Sequence, residues 1–134
     1  MTKYFAGIGS RKTPEPELRK LGVLSSMFCY DGFGLRSGGA YGADSACEAG
    51  ADAVRAEKQI FLPREGFNGN RSTLFKSEPW ARGIAEVFHP RYDKLGEFGR
   101  QCMDRNTHQI LGRAQDSWSK FILCYTTEGL GPRS

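Results

Sequence analysis

Residues 37–44 read Ser-Gly-Gly-Ala-Tyr-Gly-Ala-Asp, and no other stretch narrows the choice of fold so far. Three glycines within five residues permit a tight turn and let a ligand approach main-chain N–H groups. The apolar run Phe33-Gly34-Leu35-Arg36-Ser37 precedes them, and a helical pattern starts at Asp44. A strand that hands over to a helix through such a loop faces the positive end of the helix dipole, which suits phosphate or another anion. The loop matches neither the dinucleotide fingerprint G-x-G-x-x-G nor a P-loop with its Lys-Ser/Thr. It points to nucleotide-like ligands as a class and implies no cofactor.

The flanking segments alternate between strand and helix patterns. Tyr4 to Ile8 reads as a short buried strand ending at Gly9-Ser10-Arg11. Pro14 and Pro16 suit the first turn of a helix, with Thr13 as its N-cap. Leu18, Leu21, Gly22, Ser25, Phe28 and Cys29 recur at helical spacing, and Asp31-Gly32 ends the helix. The second helix runs from Asp44 to about Glu57, with Ala at 46, 49, 51, 53 and 56 letting it lie close to a sheet. Lys58 to Leu62 is a third strand, closed by Pro63.

Arg64 to Glu78 is polar and turn-rich and reads as a long surface loop. Trp80 to Val87 reads as a short helix, broken by His89-Pro90. A longer one follows from Phe98 to Gly112, with Met103, Asn106, Thr107, Ile110 and Leu111 on one face. Lys120 to Tyr125 is the expected central strand. The pattern predicts an α/β fold, an open parallel sheet flanked by helices and joined by right-handed crossovers.

At 134 residues the chain is expected to form a single domain over 1–134. With 39% hydrophobic and 25% charged residues it has the balance of a folded globular protein. No apolar run approaches the roughly 20 residues that span a bilayer, and no long signal-peptide core follows Met1. A cytoplasmic setting is expected. The net charge of +4 is mild and its basic residues are scattered, so nucleic acid is tolerated as a partner without being demanded. Cys29, Cys47, Cys102 and Cys124 are widely spaced and lack paired histidines, so buried reduced thiols are expected and no metal site. His89 and His108 have no partner at metal-ligand spacing.

The order of these motifs is similar to a known family. Gly7-Ile8-Gly9-Ser10-Arg11 follows strand one, Ser37 to Asp44 follows strand two, Leu62-Pro63 ends strand three, and Arg105-Asn106 precedes the last strand. The chain resembles the Rossmann-like domain of DNA-processing protein A, the DNA recombination-mediator. That superfamily also holds the lysine-decarboxylase-like cytokinin-activating enzymes and nucleotide-sensing domains of bacterial defence systems. Short phage-type members look most alike, and the likeness runs from Tyr4 to Thr127.

The resemblance implies a ligand groove beyond the C-terminal ends of the strands. Gly9, Ser10 and Arg11 would line one side. Ser37, Gly38, Gly39, Ala40 and Gly42 would cradle a phosphate, and Asp44 would orient the loop or meet a sugar. Relatives usually continue with a Gly-Gly-Thr-type loop, a further helix and often another strand. This chain reads Thr126-Thr127-Glu128-Gly129-Leu130-Gly131-Pro132-Arg133-Ser134 instead. Shortened C-terminal elements are therefore expected, with a homodimer covering the exposed edge. The cytokinin-activating enzymes carry P-G-G-x-G-T-x-x-E there, with a glutamate central to cleavage of the N-glycosidic bond. Its absence weighs against an enzyme, and no catalytic residue is assigned.

Among individual residues, the Arg11 guanidinium suits a bidentate phosphate contact, set against a surface Arg paired with Glu15. Tyr41, Trp80 and Tyr125 are candidates to stack on a base, with Tyr41 favoured by its place in the glycine loop. Asn106 is expected to be buried and hydrogen-bonded, as a bridge to the loop after strand one or as a ligand contact. Arg105 is left at a solvent or ligand-mouth position, and Glu128 is the one carboxylate near the groove from its side. The leading expectation is binding of a nucleotide or nucleotide-derived ligand, for sequestration or sensing, without turnover. Single-stranded DNA binding in recombination, using Arg11, Arg36, Arg64 and Arg71, is the alternative from another class. An N-glycosidic hydrolase of nucleoside monophosphates is the third.

Overall fold

A computed structural model describes residues 2–115 and 117–125. The elements alternate as the sequence predicts: β1 (Lys3–Gly7), α1 (Glu15–Tyr30), β2 (Phe33–Ser37), α2 (Ala43–Ala53) and β3 (Lys58–Ile60), then α3 (Pro79–Phe88), α4 (Glu97–Leu111) and β4 (Ile122–Leu123). The four strands are parallel and lie in the order β3-β2-β1-β4. Phe5 sits opposite Leu35, Leu35 opposite Lys58, and Ala6 opposite Ile122. This is an α/β sheet of Rossmann-like kind.

The layer arrangement follows from that order. The steps from β1 to β2 and from β2 to β3 move the same way across the sheet, so right-handed crossovers put α1 and α2 on one face. The connection from β3 to β4 runs back past both, which places α3 and α4 on the other. Accordingly, α1 packs on α2 and α3 packs on α4.

The core lies between the sheet and the α1/α2 layer, where Phe5, Leu35, Cys47 and Ala51 are fully buried. Burying a side chain the size of Phe5 or Leu35 stabilises the fold by about 1.5–3 kcal/mol. Phe5 stacks on Phe121 at 5.3 Å between ring centres, and Phe28 and Phe33 meet Phe121 edge-on. That aromatic cluster joins the short β4 to the rest of the sheet.

The small residues of α2 serve two contacts. Ala43, Cys47 and Ala51 face the core. Gly50 faces α1, where an added Cβ would lie 2.3 Å from the Gly22 carbonyl oxygen. Ser25 Oγ donates to the Cys47 carbonyl at 2.7 Å, and Ser26 Oγ donates to that of Gly50 at 2.6 Å. Gly50→Ala is therefore expected to destabilise by about 1–3 kcal/mol through overpacking, against the roughly 1 kcal/mol that Ala gains in helix propensity. Urea denaturation checks this; a more stable variant would show that the helices can part at no cost.

Four local expectations are corrected. Thr13 is not the N-cap of α1: Pro14 takes that position, and Thr13 Oγ1 donates back to the Ser10 carbonyl at 2.7 Å. The helix α2 stops at Ala53, where the chain turns through Arg55 in the left-handed region.

The third correction concerns α4, which buries Asp104, Arg105, His108 and Gln109 rather than the stripe of Met103, Asn106, Thr107, Ile110 and Leu111. The side chains of Asp104, Arg105 and His108 each have hydrogen-bond partners, so burial costs them little. Fourth, β4 pairs only with β1 among the described residues and is an edge, with Ile122 half-exposed. The expected shortening of the C-terminal elements concerns residues 126–134, outside the described residues. No helix among the described residues is long and apolar enough to cross a membrane.

Candidate functional site

The loops after β1 and β2 meet above the C-terminal ends of their strands. Ser37 Oγ donates to the Gly7 carbonyl at 2.6 Å and fixes the two strand ends together. One step further out, the Ser10 carbonyl accepts N–H bonds from Ala43 at 3.2 Å and Thr13 at 3.4 Å. Gly42 makes this junction sterically possible. Its φ is 81°, and a Cβ there would sit 2.6 Å from the Ser10 oxygen and 2.7 Å from Arg11 Cα. Only glycine combines that backbone conformation with that approach.

Asp44, in the first turn of α2, is buried beneath the junction. Its carboxylate accepts the Ala40 N–H at 3.3 Å and is also bonded by the amides of Gly38 and Gly9. One side chain thus holds both loops. Burial pushes its pKa up to about 6, opposed by nearby Arg105 and by those three amides.

Arg105 reaches the same place from α4. It is buried, and its Nη1 donates to the carbonyls of Gly38 and Phe61. Asn106 is half-buried and accepts from Arg105 Nε at 2.7 Å. It therefore orients the guanidinium and does not bridge to the loop after β1. Arg105 is the buried member of the pair, the reverse of the sequence expectation. Asn68 adds a further tie by donating to the Gly39 carbonyl at 3.0 Å, and Asn70 donates to Glu48 Oε1 at 3.0 Å. Residues 64–78 are thus fastened to the glycine loop and α2.

These contacts divide the sequence-derived candidates into two tiers. Ser37, Gly38, Gly39, Ala40 and Asp44 are buried and form a supporting layer. Gly9, Ser10, Arg11 and Tyr41 are exposed around it, with Gly42 half-buried between them. Among the described residues no carboxylate pairs with Arg11, and Glu15 instead reaches Arg19 at 3.8 Å.

The rim carries further cations. Arg64 lies over the Phe98 ring at 4.5 Å and donates to Gln101, while Phe67 packs against Phe98. The fields of Arg105, Arg64 and Arg11 all reach the Cys102 thiol and favour its anion, although burial raises its pKa overall.

The other candidates fall elsewhere. Trp80 packs edge-on to His108 at 4.9 Å, away from the glycine loop. His89 Nδ1 accepts the Arg91 N–H. Tyr125, half-buried against the core, is the exception, since its backbone passes beside Gly9. Glu128 lies outside the described residues. Arg36, weighed for DNA contact, is buried in β2 over Tyr4 and donates to Gln59 Oε1 at 2.8 Å. The four cysteines are free. Among the described residues no three His, Cys, Asp or Glu side chains gather as a metal site.

Sequence reasoning missed the ties made by Asn68 and Asn70, and it misplaced Arg105. Fold and loops together define an open parallel α/β sheet with two linked loops at one end of neighbouring strands. The chain matches no family model, no curated protein and no solved structure.

Proposed function

We propose that the chain binds a nucleotide or nucleotide-derived ligand over the loops that follow β1 and β2, as its resemblance to DNA-processing protein A-like domains implies. The observation that carries this reading is Arg11, exposed and without a carboxylate partner among the described residues, on a loop that Gly42 and Asp44 hold in place. Open parallel sheets take ligands in a crevice at the strand C-termini where strand order reverses. Here that point lies between β1, which carries the Arg11 loop, and β4. The ligand's phosphate would meet the Gly9–Arg11 and Tyr41–Gly42 surface, since the rest of the glycine loop is turned inward to Asp44. Tyr41, 62% exposed, is placed to stack on a base. Binding without turnover, in a reducing cytoplasm suited to four free thiols, completes the proposal. A homodimer and a phage-type role rest on the resemblance alone.

A thermal-shift panel of nucleotides, run on wild type and Arg11→Ala, tests the reading. A ligand held at a hundred times its Kd stabilises by about 2.7 kcal/mol, and the variant is expected to lose most of the resulting shift. No shift with any nucleotide, or a shift unchanged in the variant, overturns it. A single-stranded DNA reading is favoured by one separate observation, the Arg64–Phe98–Phe67 stack at the rim. It requires strongly salt-dependent binding of a labelled oligonucleotide.

A further inference from the structure

A polar cavity lies between the segment that follows β3 and the C-terminal end of α4. Its volume is about 50 Å³. Phe61 and His108 form its floor, with their rings stacked at 5.4 Å and 18°. The floor is fixed in place. His108 is buried, its Nε2 accepts the Glu78 N–H at 3.1 Å, and its Nδ1 bonds to the Gly112 carbonyl at 3.0 Å. With both ring nitrogens occupied, the imidazole cannot turn without breaking a backbone contact.

The walls carry Lys76 and Ser77 from one side, Arg113 from the end of α4, and Thr73 at the start of the segment. Among the described residues none of these four side chains has a hydrogen-bond or ion-pair partner. Among the described residues no carboxylate lines the cavity. Two cationic residues from separate segments and two hydroxyl residues therefore border one small space, with no acidic side chain among the described residues that line it. A single tetrahedral oxyanion matches both its charge and its donors.

We propose that this cavity binds a small oxyanion, either free phosphate or the phosphate of a monoester whose remainder stays outside. Lys76 and Arg113 supply the charge, and Ser77 and Thr73 donate hydrogen bonds. Loss of either cation removes charge-assisted hydrogen bonds and should weaken binding about tenfold. The proposal is independent of the nucleotide reading, because none of the lining residues belongs to the loops after β1 and β2.

The test is an amide NMR titration of the full chain with inorganic phosphate and, separately, with ethyl phosphate. Wild type, Lys76→Gln, Arg113→Gln and Arg11→Ala are compared. Both cavity substitutions are at exposed positions, and a thermal melt of each confirms that the fold is kept. Saturable shifts of the Lys76, Ser77 and Arg113 amides with either compound, weakened about tenfold in both cavity variants and kept in Arg11→Ala, support the proposal. Which compound binds more tightly then separates free phosphate from a monoester. No shift at these amides, or equal affinity in the cavity variants, overturns it. Shifts lost in Arg11→Ala also overturn it, because they would report the other loops.

Discussion

Arg105→Met is expected to lower the free energy of unfolding by about 3–5 kcal/mol near pH 8, the cost of leaving two buried carbonyls without their donor and a buried carboxylate without a nearby cation. Arg105 is the one long side chain that spans from α4 to the strand ends. Its guanidinium satisfies the carbonyls of Gly38 and Phe61 and faces the Asp44 carboxylate. Burial lowers its own pKa, and Asp44 acts in the opposite direction to hold the charge. Methionine keeps much of the volume but leaves two carbonyls without their donor and a buried carboxylate without its cation.

The carboxylate has one way to reduce that cost, which is to take up a proton. Without Arg105 its pKa should rise beyond the wild-type value of about 6. The destabilisation should therefore be smaller at pH 5, where Asp44 is neutral in both proteins, than at pH 8. Urea denaturation at the two pH values checks the magnitude and the trend together. Arg105→Lys, which keeps the charge but not the fork of donors, should recover part of the loss at pH 8. A loss below about 1 kcal/mol for Arg105→Met at pH 8, the scale of a surface pair, would refute the assignment.

That residue also shows where sequence reading stops. The glycine loop, the strand at 33–37 and the alternation of elements were legible because local chemistry sets them: glycines where the chain must turn, apolar runs between them, prolines at the start of α1. The inward face of α4 was not. An amphipathic helix is recognised by its apolar stripe, and here the buried positions 104, 105, 108 and 109 are all polar. Asp104 is held by Arg82 at 2.8 Å and Tyr92 at 2.7 Å, and His108 by two backbone groups. Those partners are between 4 and 30 residues away in sequence, so no local window contains them all. A polar run at i, i+1, i+4 and i+5 opposite a weak apolar stripe was the available signal.

Residues 64–78 form the surface loop that the sequence predicts, but its anchoring was not legible. Asn and Gly are abundant there and mimic a free loop, yet Asn68, Asn70 and Ser72 spend their side chains on Gly39, Glu48 and Ile60. Of the candidate site, Arg11 and Tyr41 stand at the surface as read. The Asp44 carboxylate accepts the Ala40 N–H within the glycine loop.

Asp44 should itself leave a signature in how stability varies with pH. Its pKa rises from 3.8 to about 6 on folding, so between those values the folded protein binds more protons than the unfolded chain. Stability from this group is therefore complete below about pH 3.8 and is lost as pH rises through 6. The difference amounts to about 3 kcal/mol. The groups that set the value come from every element around the carboxylate: Arg105 on α4 and the amides of Ala40, Gly38 and Gly9.

Asp44→Asn abolishes this titration, and the other ionisable groups largely cancel when the two proteins are compared. From pH 4 to pH 7 the variant is expected to gain about 2.4 kcal/mol relative to wild type, whatever its absolute stability. Parallel urea denaturation curves give that relative slope, and carbon-13 NMR of the Asp44 carboxyl gives the midpoint directly. A midpoint near 4, or a stability difference flat with pH, would mean that the carboxylate is well solvated and does not hold the two loops together. A midpoint near 6 would instead tie the position of the Gly9–Arg11 loop to a single buried proton site beneath it.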